Sequence, residues 1–416
     1  MRYSEVFVPG GFPRHTYNPR TSRKLEERLA EVADNLCKLA TVTGHTKSGK
    51  TVLVRGAFPP DNAIWVDGGT VGAEEDFWAT IIEQLELFQG STEASSNGRS
   101  NEIGAEGGAE ANFLAAKGSG KLFAKTEETK GSSKSHTRTV SSRVTALAGL
   151  RDAMLPLIVD DFHYIPRDLQ GSLVRALKAP IFDGLPVVLI AIPHRRYDAL
   201  KVEKEMTGRL HPIEIPLWEE EELSYIPQVG FPLMRCTISD DAVASFSREA
   251  IGSPHLVQDF CRALCRQNAI KTDVDGRDLN PSKEELKEVY SEVAETIGRP
   301  IFEKLARGPR QRTDRIPRKL KSGNEVDIYG LILHALAHIR PGLVTIEYEE
   351  LRAAIREVSV DTPQLHEVAR VLRHMASIAA SDESSTPVID FEEEDKVLHV
   401  TDPFFAFYLR WGNIDG

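Results

Sequence analysis

Residues 44–51 constrain the fold of this chain more than any other segment does. They are Gly44, His45, Thr46, Lys47, Ser48, Gly49, Lys50 and Thr51. This order, Gly-x4-Gly-Lys-Thr, is that of a phosphate-binding loop (P-loop), in which glycines let the backbone curl until its N–H groups face a phosphate. A P-loop joins a strand to a helix. The apolar run 39–43 predicts that strand and residues 51–57 continue into a helix, so the chain is predicted to bind a nucleoside triphosphate.

The P-loop and a second motif assign roles to four side chains. Lys50 is predicted to reach the β- and γ-phosphate oxygens, and the Thr51 hydroxyl is predicted to ligate Mg²⁺. Residues 157–161 form an apolar strand that ends in two carboxylates, Asp160 and Asp161. Asp160 is predicted to join the Mg²⁺ shell, and Asp161 to orient the attacking water. The alternative for this pair is an ordinary boundary between a strand and a turn.

Composition restricts the class of protein. The chain has 416 residues, which favours two or three domains, and its hydrophobic and charged fractions of 41% and 27% are ordinary for a globular protein. A formal net charge of −11 weakens the case for non-specific binding to nucleic acid. No apolar run approaches the roughly 18 residues of a membrane span, so a cytoplasmic protein with no membrane partner is expected. The four cysteines are too sparse for a disulfide or zinc framework.

The order of the predicted elements specifies the fold class. Strands and helices alternate up to residue 215, which predicts a parallel sheet. Helical periodicity then predicts a lid, at 219–226, 240–251, 254–270 and 282–306. A winged-helix order of three helices and two strands follows, at 327–339, 346–358, 364–379, 387–391 and 397–400. The predicted fold class is α/β: a P-loop NTPase parallel sheet with a helical lid and a C-terminal winged-helix domain.

Five regions follow from this order. They are an extended leader that contacts the nucleotide (1–22), a P-loop ATPase core (23–218), the helical lid (219–306), a basic linker (307–325) and the winged-helix domain (326–416). The core contains a segment, 90–142, in which 18 of 53 residues are Gly or Ser. That composition predicts a flexible solvated insertion, or a segment that orders on a partner through a hairpin at 112–125.

On these motifs, residues 1–306 resemble the broad group of oligomerising P-loop ATPases that includes the AAA+ proteins and the STAND signalling ATPases. The resemblance implies ATP and Mg²⁺ as cofactors and a homo-oligomer. In that group, the residue after the magnesium-binding aspartate is often glutamate. This chain has Asp161 there, one methylene shorter, which predicts slow or activator-dependent hydrolysis. His163 could assist, or could simply be packed in the turn.

The resemblance also implies roles for basic residues of the core. His194 or Arg195, after the strand at 186–192, matches the position of a γ-phosphate sensor, and the alternative is a solvated basic turn. Arg209 matches the place of an arginine finger, which completes the active site of a neighbouring subunit. The alternative for Arg209 is a surface arginine ahead of an edge strand.

Two segments are similar to parts of the same group that surround the nucleotide. Pro254 completes a Gly-x-Pro sequence, 252–254, that resembles a motif placed against the nucleotide, although proline at a helix start is also ordinary capping chemistry. His255 follows it and could face the phosphates or solvent. The leader, with Pro13, Tyr17 and Arg20, resembles the extended segment that contacts the base.

The C-terminal Asp402-Pro403-Phe404 sequence resembles the ending of winged-helix modules in archaeal-type and STAND-like ATPases. A winged helix can bind DNA or protein. DNA is favoured by the basic linker and by basic residues of the third predicted helix, which are His366, Arg370, Arg373 and His374. The predicted wing is acidic and would repel phosphates, which favours protein; its residues are Asp390, Glu392, Glu393, Glu394 and Asp395.

These observations favour a regulatory ATPase that acts as a nucleotide-driven, oligomerising switch. Lid closure on ATP and Mg²⁺ would expose a surface for self-association or for a protein effector or activator, as in the regulatory ATPases of bacterial antiviral systems that the chain resembles. One alternative is a DNA-binding AAA+ ATPase, similar to replication or transposition regulators. Another is a nucleotide-binding scaffold with negligible turnover.

Overall fold

The computed structural model describes residues 1–34, 37–87, 90–95, 134–139, 141–192, 208–309, 315–380, 387–393 and 395–414. The hairpin predicted at 112–125 lies outside the described residues. None of the described helices combines the length and the apolar character needed to cross a membrane.

The strands are short, and half of those described lie in the core region 23–218. They are β1 (Leu39–Gly44), β2 (Ile64–Asp67), β3 (Gly90–Ser95), β4 (Lys134–Thr139), β5 (Leu157–Asp160), β6 (Val187–Ala191), β7 (Leu210–Ile215), β8 (Thr237–Ile238), β9 (Asp278–Leu279), β10 (Arg318–Lys319), β11 (Glu325–Val326), β12 (Thr345–Glu347), β13 (Ile389–Glu392) and β14 (Val397–Val400).

Among the described residues, α-helices occur in the leader, the core, the lid and the winged-helix region, and the linker contains only the last residue of α11. They are α1 (Tyr3–Val6), α2 (Leu25–Asp34), α3 (Lys50–Ala57), α4 (Glu74–Gln84), α5 (Ser142–Ala153), α6 (Arg167–Phe182), α7 (Glu220–Leu233), α8 (Asp240–Glu249), α9 (Pro254–Gln267), α10 (Lys283–Ile297), α11 (Arg299–Arg307), α12 (Ile328–Ile339), α13 (Tyr348–Val358), α14 (Leu365–Ala380) and α15 (Pro403–Trp411).

A five-stranded parallel sheet organises the first half of the chain. Its strand order is β2-β5-β6-β1-β7, and every neighbouring pair is parallel. Parallel strands place their carboxyl ends at one edge, where ligands bind in open α/β sheets. That edge carries Gly44, Asp67 and Asp160. The predicted α/β class with a P-loop parallel sheet is confirmed.

Both faces of the sheet are covered by helices, because residues of each strand alternate between two apolar clusters. On one face, Leu39 and Val159 pack with α4, α5 and α6. On the other, Val42 and Ile158 pack with α2 and α3. Both faces of the sheet are thus buried, so a ligand can reach it only at the ends of its strands.

The lid helices α7 to α11 and the C-terminal module share a single hydrophobic core. The C-terminal module comprises α12 to α15 and the antiparallel sheet β12-β14-β13. Helix α15 of the C-terminal module packs directly on the lid: the ring centroids of Phe407 and of Phe260 in the lid are 5.1 Å apart. The lid and the C-terminal module are therefore continuous in their packing.

Three expected elements differ in the structure. The lid helix expected at 282–306 is broken at Gly298. Pro300, in the first turn of α11, has no N–H with which to continue the helix from α10. Tyr408 packs closely on Gly298, where a Cβ would lie 2.4 Å from Tyr408 Cβ. The helix expected at 219–226 continues to Leu233 despite two internal prolines. The winged-helix sheet gains a third strand, β12, and the C-terminal aromatic run forms α15.

Candidate nucleotide-binding site

The P-loop leaves β1 at Gly44 and enters α3 at Lys50. Gly49 has a φ of 90°, in the left-handed region that glycine adopts without strain. Gly44 lies so close to β7 that a Cβ would be 2.9 Å from the Ile215 carbonyl oxygen. Both glycines of the motif are therefore required by the backbone path.

Lys50 is buried within the P-loop, with 8% of its surface exposed. Its Nζ donates hydrogen bonds to the carbonyl oxygens of Gly44 at 3.0 Å and His45 at 2.8 Å. Burial lowers the pKa of Lys50 to about 8, against the opposing charges of Asp161 and Asp160. The half-buried His45 ring also has a lowered pKa, through burial and then the charge of Lys50. An anion at this place would stabilise the ammonium form of Lys50.

The two carboxylates of the second motif lie beside the P-loop. Asp160 Oδ1 accepts hydrogen bonds from Thr51 Oγ1 at 3.2 Å and from the Asp161 N–H at 3.0 Å. Burial raises the pKa of Asp160, and it raises that of Asp161 to about 6 together with the charge of Asp160. A hydroxyl and a carboxylate oxygen at this separation form the kind of oxygen pair that Mg²⁺ prefers. Thr51 and Asp160 thus fit the predicted magnesium ligands.

Asp67 is a third carboxylate that the sequence analysis did not single out. It ends β2 and is the direct neighbour of Asp160 in the strand register. Its charge contributes to the raised pKa of both Asp160 and Asp161. The available signal was its place at the end of a predicted strand next to the carboxylate strand.

A cavity of about 420 Å³ opens at this edge of the sheet, within the usual range of roughly 300–1,000 Å³ for ligand pockets. Its walls come from the leader, the P-loop, the segment after β7 and the start of α9. Pro13, Tyr17 and Arg20 of the leader line it, as do Pro254 and His255 of the lid. The structure therefore brings the leader and lid residues predicted from sequence to one cavity with the P-loop.

Arg20 lines the cavity, but its guanidinium is bound by protein groups. Its side chain, 3% exposed, forms a 2.7 Å ion pair with Glu222. It also donates to the carbonyl oxygens of Pro216 and Leu217, both at 3.1 Å. Its Cζ lies 4.7 Å from the centroid of the Trp218 ring. These contacts give Arg20 a structural partner set that the predicted contact with a base did not anticipate.

Tyr17 and Gln258 hold the leader in place. The Tyr17 hydroxyl donates to Glu26 at 2.8 Å, and its ring is stacked on Phe12. Gln258 of α9 accepts from the Val8 N–H at 3.0 Å and donates to Thr16 Oγ1 at 2.7 Å. The leader is therefore fastened to the lid across the cavity. Gln258 was missed because its partners lie far away in the chain.

His255 is half-buried and lines the cavity near Lys47 of the P-loop. Burial, with the charge of Lys47, lowers its pKa to about 4, so it is neutral near pH 7. Its Nε2 lies 3.4 Å from an Asp259 carboxylate oxygen, and its ring is perpendicular to that of Phe404 at 4.8 Å. His255 thus connects the lid to α15.

The P-loop touches the C-terminal module directly. Lys47 Nζ lies 5.3 Å from the centroid of the Phe404 ring. Asp402, buried, caps α15 by accepting from the N–H groups of Phe404 and Phe405 at 2.8 and 2.9 Å. Burial raises the pKa of Asp402, and the nearby charge of Lys47 opposes that rise. The Asp402-Pro403-Phe404 sequence is therefore a contact point with the P-loop.

The acidic wing faces the same region. A second cavity of about 210 Å³ is lined by His45 and Thr46 of the P-loop together with Asp390, Glu392 and His399 of the wing sheet. Asp390 and Glu392 thus belong to the wall of a cavity that the P-loop also lines, and a Glu392 carboxylate oxygen lies 3.4 Å from His399 Nε2.

Arg209 lies at the amino ends of the strands, whereas the P-loop lies at their carboxyl ends. Its carbonyl oxygen accepts from the Leu39 N–H at 2.9 Å, at the start of β1, roughly 16 Å along the strand from Gly44. Its exposed side chain lies over Phe182, with Cζ 5.5 Å from the ring centroid. Arg209 is thus distant from the cavity of its own subunit. His194 and Arg195 lie outside the described residues.

Several basic residues proposed for DNA contact have partners within the protein. Arg315 pairs with Asp327 and lies 4.4 Å from the Tyr329 ring centroid. Arg373 pairs with Glu393 at 3.0 Å, and the ring of His374 is 2.9 Å from the Tyr329 hydroxyl. These contacts reduce the cationic surface available to a phosphate backbone.

No protein-family model matches the chain, and no curated protein matches it by sequence. Solved structures match over most of its length. The Walker-type ATPase of Pyrococcus abyssi is 15% identical, with 93% of this chain and 94% of that chain covered and a TM-score of 0.49. Cdc6p from Pyrobaculum aerophilum is 13% identical, with coverages of 97% and 96% and a TM-score of 0.45. The Aeropyrum pernix ORC1 protein in complex with DNA is 12% identical, with coverages of 97% and 94% and a TM-score of 0.46.

Proposed function

We propose that this chain is an ATP-binding, Mg²⁺-dependent regulatory ATPase that acts as a nucleotide-driven, oligomerising switch. The observation that carries the proposal is the contact between Lys47 of the P-loop and Phe404 of the C-terminal module, with His255 of the lid against the same ring. A triphosphate in the P-loop would act on the lid and the C-terminal module at one point.

The proposed binding chemistry uses the residues around the P-loop. Backbone N–H groups of the P-loop and the Lys50 ammonium bind the β- and γ-phosphates. Mg²⁺, when held by Thr51 and Asp160, neutralises charge on the phosphate oxygens. Asp161, with a pKa of about 6, is ionised at neutral pH and can orient a water. Its short side chain is the reason for expecting slow or activator-dependent hydrolysis.

The switch follows from competition for Lys47. An anionic phosphate attracts the Lys47 ammonium more strongly than the face of an aromatic ring does, because a full charge opposes it. Asp390 and Glu392 of the wing line a cavity with the P-loop, so added phosphate charge also repels them. Binding of ATP would loosen the C-terminal module and free a surface for self-association. Control of an effector in bacterial antiviral defence is the setting that we propose for such a switch.

The mass of the protein in solution tests this function. We expect a larger species with ATP and Mg²⁺ than with ADP or without nucleotide, and we expect Lys50→Ala and Asp160→Ala to abolish the increase. Multi-angle light scattering after size exclusion measures it. An unchanged mass under all three conditions, or nucleotide-dependent assembly retained in both variants, would contradict the proposal.

Nucleotide affinity is expected to fall above about pH 8. The pKa of Lys50 is about 8 without nucleotide, and phosphate charges raise it in the complex because they favour the ammonium form. Affinity is therefore full below pH 8 and falls as pH rises, by up to about tenfold per pH unit, until the pKa of the complex is reached. The phosphates are fully ionised in this range, since their second pKa is near 6.

Isothermal titration calorimetry from pH 7.5 to 9.5, in buffers of different ionisation enthalpy, measures both the affinity and the proton uptake. Lys50→Arg is the matched control, because its guanidinium keeps its charge throughout this range. We expect that variant to lose the decline even if its affinity is lower. An equal decline in both proteins would mean that another group titrates.

A further inference from the structure

We propose that Trp218, held by Arg20, is a positioning residue that orients the Ser48–Gly49 peptide of the P-loop for the β-phosphate. The inference rests on the proposed nucleotide site. It assigns to the leader a role in shaping the P-loop, through a residue that follows the last strand of the sheet.

The indole N–H of Trp218 donates a 2.9 Å hydrogen bond to the Ser48 carbonyl oxygen. In a planar trans peptide, the carbonyl and the next N–H point in opposite directions. Binding of the Ser48 oxygen by Trp218 on one side therefore directs the Gly49 N–H to the other side. Within the described residues, the Gly49 N–H has no backbone acceptor. Backbone N–H groups of this kind are what a P-loop offers to phosphate.

The Ser48–Gly49 peptide needs such a constraint. Gly49 has a φ of 90°, and glycine also has easy access to other conformations. Ser48 itself is buried, and its hydroxyl has no hydrogen-bond partner among the described residues. The serine side chain therefore does not fix the peptide by a hydrogen bond, and the Trp218 indole is the polar group that does.

Trp218 is held from two directions, at its ring and at its backbone. Arg20 lies over its face, and the same guanidinium donates to the carbonyl oxygens of Pro216 and Leu217 just before it. On the lid side, the Trp218 backbone N–H donates to the Gly252 carbonyl oxygen at 3.4 Å. The leader thus contacts the Trp218 indole and the lid contacts the Trp218 backbone, so both meet at the residue whose indole N–H binds the P-loop.

Trp218→Phe is the decisive variant, because it keeps an aromatic ring beneath Arg20 and removes only the donor. We expect it to weaken ADP binding by about tenfold, the usual scale for one hydrogen bond that serves a charged ligand. Binding of AMP, which has no β-phosphate, should change by less than about twofold. The ratio of the two affinity losses separates positioning of the P-loop from a general loss of structure, because a general loss would weaken the binding of both ADP and AMP.

Trp65→Phe is the matched control. The Trp65 indole donates to the Phe58 carbonyl oxygen at 3.1 Å, and Arg55 Cζ lies 5.2 Å from its ring centroid. The chemistry equals that of Trp218, yet Trp65 does not line the cavity. We expect Trp65→Phe to leave ADP affinity unchanged.

Arg20→Lys provides a second arm should Trp218→Phe fold poorly in thermal melts. Lysine keeps the charge beside Glu222 but cannot reproduce the forked contacts to two carbonyl oxygens, so ADP should again lose more affinity than AMP. Equal losses of both ligands, or no loss in either variant, would overturn the inference while the proposed function stands. Failure of the unmodified protein to bind ADP or ATP would overturn both.

Discussion

Replacing Lys50 by alanine is expected to lower ATP hydrolysis by about 10²–10³-fold, the loss seen when one preorganised donor to a developing charge is removed. Lys50 is buried, and its ammonium is already aimed at the P-loop carbonyl oxygens of Gly44 and His45. These two bonds hold the ammonium at the P-loop and leave one of its three N–H donors for a phosphate. Phosphate release measured at saturating ATP, together with ATP affinity, gives the size of the effect.

The same substitution should leave the fold as stable as before, or more stable. The lowered pKa of Lys50 means that the folded state disfavours its charged form, so alanine removes a cost of burial. A thermal melt checks this point. Hydrolysis within tenfold of the unmodified protein would contradict the assigned role of Lys50, whereas a strongly lowered melting temperature would mean that the lysine is structural.

Lys47→Ala is the matched control within the same loop. Lys47 is exposed, and its ammonium faces Phe404. We expect Lys47→Ala to retain ATP binding within a few-fold, because the backbone N–H groups and Lys50 remain. If the proposed switch is right, its mass in solution should depend less on nucleotide. Comparison of Lys50→Ala with Lys47→Ala therefore separates ATP binding from the change of mass that binding produces.

The features predicted correctly from sequence are those whose signal is local. The residues of the P-loop have a fixed spacing, and the backbone conformation requires its glycines: Gly49, for example, lies in the left-handed region. Asp160 was predictable for a similar reason, since an apolar run ending in carboxylates delivers them to the carboxyl edge of a parallel sheet. Strand and helix periodicity likewise placed the sheet and the lid.

The contacts around the cavity were not predictable, because they join residues far apart in the chain. Trp218 and Ser48 are 170 positions apart, and Arg20 and Glu222 are 202 apart. Nothing in the local pattern around Arg20 distinguishes a guanidinium that contacts a base from one bound to a carboxylate and two carbonyl oxygens. The close packing of Tyr408 on Gly298 is likewise distant in sequence, whereas Pro300 is a local signal for the break of the lid helix.

The position of the acidic wing in the structure changes which group its carboxylates are expected to repel. In the sequence, Asp390 and Glu392 argue only against DNA. In the structure they line a cavity with His45 and Thr46 of the P-loop. Both residues therefore share a cavity wall with the P-loop, and in the proposed function the charge of a bound triphosphate acts on them there. The same carboxylates that disfavour DNA are thus neighbours of the P-loop within the chain.

Phe407→Ala is expected to lower the free energy of unfolding by about 3–5 kcal/mol, the usual cost of deleting a buried aromatic ring. Phe407 is fully buried in α15, with its ring centroid 5.1 Å from that of Phe260 and 6.1 Å from that of Tyr290, both in the lid. Because the lid and the C-terminal module share one core, we expect both to lose stability together in a single transition.

Urea denaturation followed by tryptophan fluorescence measures this change, with hydrogen exchange to report on each part. Phe182→Ala is the matched control, because the same side chain is deleted where it is 62% exposed, and we expect a change within about 0.5 kcal/mol. A loss confined to the C-terminal module, with protection of α9 and α10 unchanged, would show that the two parts unfold independently. That result would also weaken the proposed switch, since a lid insensitive to α15 could not transmit the state of Phe404.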